Sequence, residues 1–514
     1  MNRCHFLLVA RLSLLLAIGC CCHAIFASPV TVRIDAGQPV RTMQGGMGAS
    51  WHAMESPIPG HEGGSGWGAY PPAENEAAWQ ALYQHADWLG LDWSRVEVEH
   101  RVYEPKRHHF DWNSAEMRIL YRILDWAEAR HTDVFLQQMW DNTDWNTLPE
   151  MRADPARRVH SAPLSIDDYA NGYAELVHHL VKVKGYKCIR WLSVNNEPGQ
   201  GYSWWQGPDL KPLAATPDFK RMRAALDRRG IHLPISGPDW SDMPALEVSK
   251  IDFDPFIGAY DLHSYNADFD QPGKASAEFS LSTTQTHMRN WSAWAHQHGK
   301  PLFLTEVGSM AFGWGTTNPA PDGYEASLKN ASLVIRGINV GVDGFNRWSF
   351  LNRGDLDGQW QLIDTWDVKA NHLMASFNPH PNAYFMWALM SRYTALHSQV
   401  LRVQTEGAPD DGLQRVVATA LRSPKGKVTV LVVNESNEET AGDFVFDRLP
   451  ADLKLYRYRV TPAMRDRSDV ELKPEADFDI QPQHASFSDK LPARSITVYS
   501  TYKLEPGDKG IQAE

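Results

Sequence analysis

The stretch Trp191-Leu-Ser-Val-Asn-Asn-Glu-Pro-Gly199 runs from a short apolar segment directly into polar residues. A second stretch, Pro301-Leu-Phe-Leu-Thr-Glu-Val-Gly308, is built in the same way, with Glu306 following its apolar residues. Short apolar runs bounded by turn-forming residues predict buried strands of a parallel sheet. Each stretch therefore predicts a strand that carries a glutamate at its C-terminal end, Glu197 in the first and Glu306 in the second.

Strand-length runs of this kind recur from Thr42 onward and alternate with segments that are apolar at helical spacing. Such alternation predicts parallel strands joined by crossover helices. Eight strand–helix units over about 350 residues match a (β/α)8 TIM barrel, whose chemistry gathers at the C-terminal ends of the strands. The fifth crossover, around residues 243–249, is the weakest. The predicted strands are residues 43–50, 93–98, 133–139, 189–195, 233–238, 259–264, 302–306 and 344–350, and the predicted helices are residues 74–89, 114–130, 166–183, 217–229, 281–298 and 325–338.

The pattern changes after a predicted helix at residues 383–396, because strand-like runs then follow one another without helices and are separated by turn-forming residues. This pattern predicts an all-β sandwich. Residues 30–34 look like a strand without a partner in the barrel, so we expect them to pair within the sandwich. The predicted fold class is therefore α/β, a (β/α)8 TIM barrel with a C-terminal all-β sandwich domain completed by an N-terminal strand. The predicted sandwich strands are residues 401–404, 413–421, 427–434, 443–446, 455–460 and 495–501; the predicted domains are residues 1–28 (signal peptide), 29–40 (strand joining the sandwich), 41–396 (barrel) and 397–514 (sandwich).

The first residues have the construction of a secretory signal, with Arg3 and Arg11, then an apolar stretch, then small residues before an expected cleavage near Ser28. A membrane anchor is the alternative, but the apolar run at residues 12–22 is about half as long as a bilayer requires. A lipoprotein signal at Cys20 is a second, minor alternative. We therefore expect a secreted or periplasmic protein with no stable membrane span.

The net charge of the chain indicates which kinds of molecule it can bind. With 62 acidic and 50 basic residues, the formal net charge is -12. An acidic surface argues against nucleic acid and favours a neutral, hydroxyl-rich substrate. Of the five cysteines only Cys188 follows the signal segment, so we expect no disulfide framework. An oligomeric state does not follow from the sequence.

Tryptophan is unusually frequent, at 20 of 514 residues. Indole faces stack on the C–H faces of sugar rings, which favours a carbohydrate ligand where tryptophans fall at strand ends and in loops. Core packing is the alternative and suits the tryptophans on predicted helices better. The tryptophans at strand ends and in loops, for which we favour sugar contact, are Trp51, Trp67, Trp140, Trp145, Trp204, Trp205, Trp314, Trp348 and Trp360.

Two glutamates at one end of a barrel suit the hydrolysis of a glycosidic bond. That reaction needs one carboxyl group to protonate the departing oxygen and an ionised one to attack the anomeric carbon. Like charges held close together push two pKa values apart, so a single pair supplies both states. A structural salt bridge is the alternative for either residue alone, but it explains poorly why Glu197 and Glu306 end strands four and seven of the same barrel.

The motif Asn196-Glu197-Pro198 on strand four, together with Glu306 on strand seven, resembles glycoside hydrolase clan A, the retaining (β/α)8 group. The attached sandwich with its N-terminal contribution resembles family thirty of that clan, which includes glucocerebrosidase-like enzymes and endo-glycanases. The resemblance implies a retaining β-glycosidase or endo-glycanase that acts on an oligo- or polysaccharide, with Glu197 as the catalytic acid/base and Glu306 as the catalytic nucleophile. It implies double displacement through a covalent glycosyl-enzyme intermediate, without a cofactor.

The resemblance also implies roles for polar residues around the pair. Asn196 would hydrogen-bond the sugar 2-hydroxyl, and Arg95 would lie beside the nucleophile and keep it ionised. An ordinary salt bridge with a neighbouring glutamate of the same strand is the alternative for Arg95. On strand six, Tyr265 would hydrogen-bond and orient the nucleophile, with His263 near the leaving-group side.

Aromatic residues would complete the substrate site. By the same resemblance Trp348 would form the floor of the cleavage subsite, and Trp140 would line the opposite wall. His52 either contacts the sugar or is a structural histidine. The loop at residues 352–360 is rich in acidic and turn residues, but its spacing matches no complete calcium motif, so we expect no metal.

Several functions remain open on the same residues. A transglycosylase would use the same covalent intermediate with a sugar as acceptor, and a catalytically inactive carbohydrate-binding protein would keep the barrel without the reaction. A serine hydrolase is excluded because the chain has no Gly-x-Ser-x-Gly elbow. Residues 140–145 differ from the segment usual after strand three in family thirty, so the resemblance assigns no particular sugar or linkage.

Overall fold

The part of the chain that the structure describes excludes the predicted signal segment. The computed structural model describes residues 29–54, 70–199, 205–214, 216–241, 243–265, 281–308, 323–351, 360–367, 369–370, 372–407 and 415–511, apart from the side chains of residues 52–54, 156, 281 and 282. Among the helices in these ranges, none is long and apolar enough to cross a membrane.

The N-terminal strand and the strands of the barrel come first along the chain. All neighbouring barrel strands are parallel. The first barrel strand is split into two pieces, one pairing with the last strand and the other with the second, so that it closes the ring. A bridge from Leu192 to Ile235 joins the fourth strand to the fifth. The strands are β1 (Val30–Thr42), β2 (Met47–Ala49), β3 (Trp51–Met54), β4 (Trp93–Val98), β5 (Asp133–Gln138), β6 (Ile189–Ser193), β7 (Ser236–Trp240), β8 (Ala259–Ser264), β9 (Leu302–Val307) and β10 (Gly344–Arg347).

Helices surround this ring and begin at polar capping residues. The side chain of Asn75 accepts from the backbone N–H of Ala78, and that of Ser114 accepts from Met117. These side chains satisfy N–H groups that have no partner within the helix. The helices are α1 (Glu76–Leu89), α2 (His100–Tyr103), α3 (Ala115–Arg130), α4 (Pro155–Arg158), α5 (Ile166–His178, continued by a π-helix at His179–Val183), α6 (Phe219–Arg228), α7 (Leu281–Gln297), α8 (Gly323–Val340) and α9 (Ala383–Ser391).

The structure corrects the fifth barrel unit of the sequence-based prediction. The predicted strand at residues 233–238 stops too early, because β7 continues through Pro238 to Trp240. Proline lacks the backbone N–H that a strand ladder uses, yet Pro238 lies within the strand and pairs with Asp261 of β8. In the described residues the crossover after β7 contains only the short 3-10 helices Val248–Lys250 and Asp254–Phe256, consistent with the weak helical pattern.

The C-terminal part is all-β, and the N-terminal strand completes it as predicted. Strand β1 lies between β13, to which it is antiparallel, and β16, to which it is parallel. The nine strands form one sheet in the order β18-β17-β20-β15-β14-β13-β1-β16-β19, while β11 and β12 form a separate hairpin. The strands are β11 (Ile363–Asp367), β12 (His372–Pro379), β13 (Gln399–Glu406), β14 (Val416–Arg422), β15 (Val428–Asn434), β16 (Thr440–Asp447), β17 (Leu453–Val460), β18 (Ala476–Ile480), β19 (Ser486–Leu491) and β20 (Ser495–Ser500).

The two edges of the nine-stranded sheet meet and enclose one interior. Phe478 of β18 packs against Phe487 of β19, with ring centroids 4.5 Å apart. At the same seam, Asp489 of β19 accepts hydrogen bonds from Arg457 at 2.8 Å and Arg459 at 2.6 Å, both on β17. Strands β18 and β19 were not predicted, because their short, half-exposed segments lack a continuous apolar run.

We expect Asp489→Ala to destabilise the protein by about 3 kcal/mol, because it leaves two largely buried arginines without their shared carboxylate. Urea unfolding followed by tryptophan fluorescence measures this. The matched control is Asp477→Ala on the neighbouring strand β18, whose ion pair with Lys454 is exposed and contributes less than about 1 kcal/mol. Equal effects of the two substitutions would mean that Asp489 does not close the seam.

The outer face of the sheet packs against the barrel helices α8 and α9. Asn339 of α8 donates to the backbone oxygen of Ala418 at 2.9 Å. The Tyr324 hydroxyl, also on α8, donates to the oxygen of Arg494 at 2.7 Å. Apolar residues of α9 and of strands β15, β17 and β20 belong to one continuous core. The two domains therefore share packing and are not joined by a linker alone.

Candidate active site

The side chain of Glu197 lies at the C-terminal mouth of the barrel, just after β6. Its backbone has a φ of 46°, in the left-handed region that non-glycine residues rarely adopt. A hydrogen bond of 3.1 Å from its N–H to the backbone oxygen of Asp239 holds this conformation. This hydrogen bond joins the end of β6 to β7 at the point where the side chain of Glu197 enters the cavity.

Glu306 lies in β9 and reaches the same cavity because that strand is irregular. The pairing register between β8 and β9 shifts by one residue between Leu304 and Glu306, as at a β-bulge. As a result, Thr305 and Glu306 both contact residues at the barrel mouth. Arg95 donates to Oε1 of Glu306 at 2.6 Å, and the Tyr265 hydroxyl donates to Oε2.

Arg95 is the central cation of the site and is completely buried. Its guanidinium binds Glu306, the neighbouring Glu97 and, at 2.8 Å, the side-chain oxygen of Asn196. Burial alone lowers the pKa of Arg95, but the charges of Glu97 and Glu306 outweigh burial and raise it above its usual value. The salt bridge within strand two and the contact with Glu306, which the sequence analysis treated as alternatives, therefore occur together.

His263 of β8 bridges two carboxylates. Its Nδ1 lies 2.7 Å from Oε1 of Glu197, and its Nε2 lies 2.9 Å from Oδ1 of Asp239. Nδ1 also lies 3.4 Å from Oε2 of Glu306. Burial lowers the pKa of His263, but the charges of Glu306 and Asp239 outweigh it, so the pKa rises well above 6.5. The raised pKa favours the protonated imidazole, in which both ring nitrogens donate.

The environment of Glu197 suits a proton donor. Burial is the main cause that raises its pKa, to about 7, while the hydrogen bond and charge of His263 act in the opposite direction. One oxygen of Glu197, one oxygen of Glu306 and a ring nitrogen of His263 all lie within 4.8 Å of one another. Carboxylate oxygens and ring nitrogens also bind metal ions. In this site the ring nitrogen of His263 instead forms a hydrogen bond with Glu197.

A third carboxylate, Asp239, completes the polar cluster and was not identified from the sequence. It lies at a register shift in β7, with a φ of 61°. Besides His263 it accepts from Gln137 at 2.8 Å. Although burial raises its pKa, the charges of His263 and Arg95 hold it below the usual range. Its position directly after Gly237-Pro238, at a strand end, was the sequence signal that could have identified it.

A buried acid lies below Asp239 in the barrel. Asp261 accepts the backbone N–H of Asp239 at 2.8 Å and the hydroxyl of Ser236. Burial, with the negative charge of Asp239, raises the pKa of Asp261 to about 7. The ionised Asp239 and the more weakly acidic Asp261 thus share one region of the barrel interior.

Aromatic rings line one side of the cluster. The ring of Trp348 lies 4.7 Å from that of Trp360 and 6.5 Å from that of Tyr265, whose hydroxyl holds Glu306. Trp140 is only 2% exposed and packs with Met139, so most of its ring is covered. Trp348 therefore lies beside the tyrosine that holds Glu306, and both Trp140 and Trp348 are largely buried; their contacts with a sugar stay predictions.

The structure corrects the sugar-contact interpretation for two other tryptophans. Trp51 is fully buried between Trp126 of α3 and Phe350. Trp205 packs edge-on against Tyr169 of α5. Core packing therefore explains these rings, because each faces a helix outside the barrel. The side chain of His52, the tryptophans at positions 67, 204 and 314, and most of the loop at residues 352–360 lie outside the described residues.

The comparison with family models identifies the chain. The family model of cellulase, glycosyl hydrolase family 5, matches residues 44–334, more than half of the 514 residues. The chain belongs to this family. Its membership confirms the resemblance to clan A that the motif Asn196-Glu197-Pro198 and Glu306 indicated.

Solved structures share the whole architecture of this family 5 chain. A family 30 endoxylanase from Clostridium papyrosolvens C71 is similar with a TM-score of 0.56 at 14% identity, over 92% of this chain and 99% of its own. A glucosidase from Croceicoccus marinus has a TM-score of 0.58 at 11% identity, over 92% and 98%. An α-L-arabinofuranosidase from Thermotoga maritima has a TM-score of 0.56 at 13% identity, over 92% and 100%.

These similarities establish the fold rather than a substrate. The three proteins carry different activities on one architecture, and a fold supports many activities through its loops. No curated protein matched the sequence. The TIM barrel with a C-terminal β domain is therefore established, together with a carbohydrate-active family.

Proposed function

We propose that this protein is a retaining glycoside hydrolase that cleaves β-glycosidic bonds of an oligo- or polysaccharide by double displacement. The observation that carries the proposal is the closeness of Glu197 and Glu306, whose nearest oxygens lie within 4.8 Å. Retaining glycosidases hold their carboxyl groups about 5–5.5 Å apart, whereas inverting enzymes leave a wider gap of about 6.5–9.5 Å for a water molecule. The short distance between Glu197 and Glu306 therefore supports retention rather than inversion.

The different surroundings of the two glutamates support different roles. Glu306 receives hydrogen bonds on both oxygens from Arg95 and Tyr265, which fixes it as an oriented carboxylate for attack on the anomeric carbon. Glu197 keeps 13% of its side chain exposed and has a pKa raised to about 7, as a proton donor near neutral pH requires. We assign Glu306 as nucleophile and Glu197 as acid/base.

Two steps then follow on this geometry. Glu306 attacks the anomeric carbon and forms an ester with the sugar, while Glu197 gives its proton to the departing glycosidic oxygen. In the second step Glu197 removes a proton from water, the water oxygen bonds to the anomeric carbon, and the ester bond to Glu306 breaks. Two inversions at one carbon give net retention. Asn196, held at 2.8 Å by Arg95, is oriented for the sugar 2-hydroxyl.

A substrate screen with product stereochemistry tests the proposal. We expect hydrolysis of at least one aryl β-glycoside or plant or fungal β-glycan, with the β-anomer as first product in proton NMR spectra. Aryl α-L-arabinofuranosides belong in the screen because one structural neighbour is an arabinofuranosidase. A first product of inverted configuration contradicts the mechanism. Glycan binding without bond cleavage indicates an inactive binding protein, and dominant transfer to added sugar indicates a transglycosylase.

The pKa of Glu197 gives a prediction for the pH dependence of activity. Because burial raises this pKa to about 7, the acid form that donates the proton persists up to neutrality and is lost above it. We therefore expect kcat/KM, which reports the free enzyme, to decline above about pH 7. Measuring kcat/KM from about pH 4 to about pH 9 on one aryl glycoside checks this. A decline that begins near pH 4.5 would show that burial does not raise the pKa of the group that donates the proton.

We also propose that the protein is exported, to the periplasm or the medium. The charged, apolar and small residues at the start of the chain support this proposal.

A further inference from the structure

The acid/base candidate Glu197 is connected to Asp239 by two separate contacts. One is the backbone hydrogen bond from Glu197 N–H to the oxygen of Asp239. The other runs through the imidazole of His263, which is completely buried and binds one carboxylate at each nitrogen. A histidine with both nitrogens bound has a fixed ring orientation, so the position of Asp239 determines where Nδ1 points.

We propose that Asp239 is a positioning residue for the catalytic acid: by holding Nε2 of His263, it keeps the Nδ1–H of that ring on Oε1 of Glu197, so that Oε2 carries the proton that is transferred. This inference rests on the proposed function of Glu197. The side chain of Asp239 does not touch the reacting atoms and reaches Glu197 through His263.

The two side-chain oxygens of Glu197 differ in their hydrogen bonds. Oε1 accepts from His263, and within the described residues no protein group donates to Oε2. A carboxylic acid has one hydroxyl and one carbonyl oxygen, and a donor at Oε1 makes that oxygen the carbonyl. The hydroxyl is then on Oε2, which is not engaged by His263. If His263 were neutral with an unprotonated Nδ1, Glu197 could instead donate its proton to the ring and away from the substrate.

The charges around His263 support the donor state of both its nitrogens. The groups that face it are Glu197 after β6, Asp239 of β7, Asp261 of its own strand β8 and Glu306 of β9. Arg95 of β4 approaches the same cluster, 4.0 Å from Asp239. The Asp239 carboxylate accepts hydrogen bonds from His263, from Gln137 and, at 3.4 Å, from the Thr305 hydroxyl, which together hold it in place.

The dependence of activity on the leaving group separates positioning from a general structural role. Loss of a well-placed acid slows the release of a poor leaving group, which needs a proton, but hardly affects a good one, which does not. For Asp239→Asn we expect kcat/KM on the phenyl β-glycoside of the sugar cleaved best by the wild type to fall about 100-fold. On the 2,4-dinitrophenyl glycoside of the same sugar we expect a loss of less than about threefold.

The matched control is Asp343→Asn. Asp343 is also a buried aspartate bound to a histidine, His296 at 2.7 Å, but it lies just before β10, at the opposite end of the barrel. We expect this substitution to lower stability without changing the ratio of the two kcat/KM values. Thermal unfolding of both variants shows whether each is folded at the temperature of the assay.

The possible outcomes test the positioning role of Asp239 and the proposed glycosidase function separately. Equal losses on both substrates for Asp239→Asn, or no loss on either, overturn the positioning role while the wild type remains a glycosidase. A wild-type protein that cleaves no glycoside overturns the proposed function itself. A loss confined to the poor leaving group, absent from Asp343→Asn, supports Asp239 as the residue that positions the acid.

Discussion

Glu306→Gly is expected to lower kcat/KM on aryl β-glycosides by about 10⁵-fold, because it removes the group that forms the covalent intermediate. The substitution also leaves a cavity beside Arg95 and Tyr265, where a small anion can enter. With added azide we expect partial recovery and a glycosyl azide whose anomeric configuration is inverted relative to the substrate. Inversion follows because azide attacks once, where Glu306 would have attacked in the first step.

The control for this experiment is Glu406→Gly, which removes an exposed glutamate of β13, far from the barrel mouth in the fold. It should retain wild-type kcat/KM and give no azide product. Full activity of Glu306→Gly would eliminate it as nucleophile. An azide product of retained configuration would assign the substituted residue to the acid/base role instead.

Glu197→Ala is expected to differ from Glu306→Gly in how kcat/KM depends on the leaving group and in the configuration of the azide product. On an aryl glycoside with a poor leaving group, we expect kcat/KM to fall by about 10³-fold or more, since general acid catalysis contributes about 10²–10⁴-fold. With 2,4-dinitrophenol as leaving group the loss in kcat/KM should be small. Azide should accelerate release of the covalent intermediate and give a glycosyl azide with the configuration of the substrate.

The stereochemistry of the two azide products distinguishes the two glutamates more sharply than their activities do. If Glu197→Ala gives the inverted azide, the assignments of Glu197 and Glu306 must be exchanged. Uniform loss on all leaving groups without any azide product would instead indicate that Glu197 supports the structure. The backbone at Glu197 is in the strained left-handed region, so the substitution can also change stability. Thermal unfolding of the Glu197→Ala variant and the wild type measures that change.

The fold followed from the sequence because the barrel strands are apolar runs with clear turn signals. Strands β4 and β8 occur at the predicted residues, and β1 joins the C-terminal sheet as expected. Strands β18 and β19 were missed because their alternate residues face solvent, which weakens the apolar pattern. Helix boundaries agreed closely wherever a capping residue such as Ser114 preceded the apolar positions.

The site was predictable only where a local motif marks it. The sequence indicated Glu197 and Glu306 because each follows an apolar run, and the structure brings Arg95, Asn196 and Tyr265 to them. The bridge through His263 depends on side chains that distant parts of the chain supply. Gly237-Pro238 marks the position of Asp239, but the strand irregularities that turn Asp239 and Glu306 inward depend on pairing with neighbouring strands. Long-range geometry of this kind is fixed by packing rather than by local sequence.

The position of β1 between two other strands of the nine-stranded sheet affects the order in which the protein can fold. Ribosomal synthesis makes this strand first, yet its partners β13 and β16 begin at Gln399 and Thr440, after the entire barrel. The ladder on both sides of β1 therefore forms only when the last quarter of the chain has been made, a pairing of high contact order that is slow to form. Until then the early strand has exposed edges, so we expect this segment to need chaperone protection during synthesis.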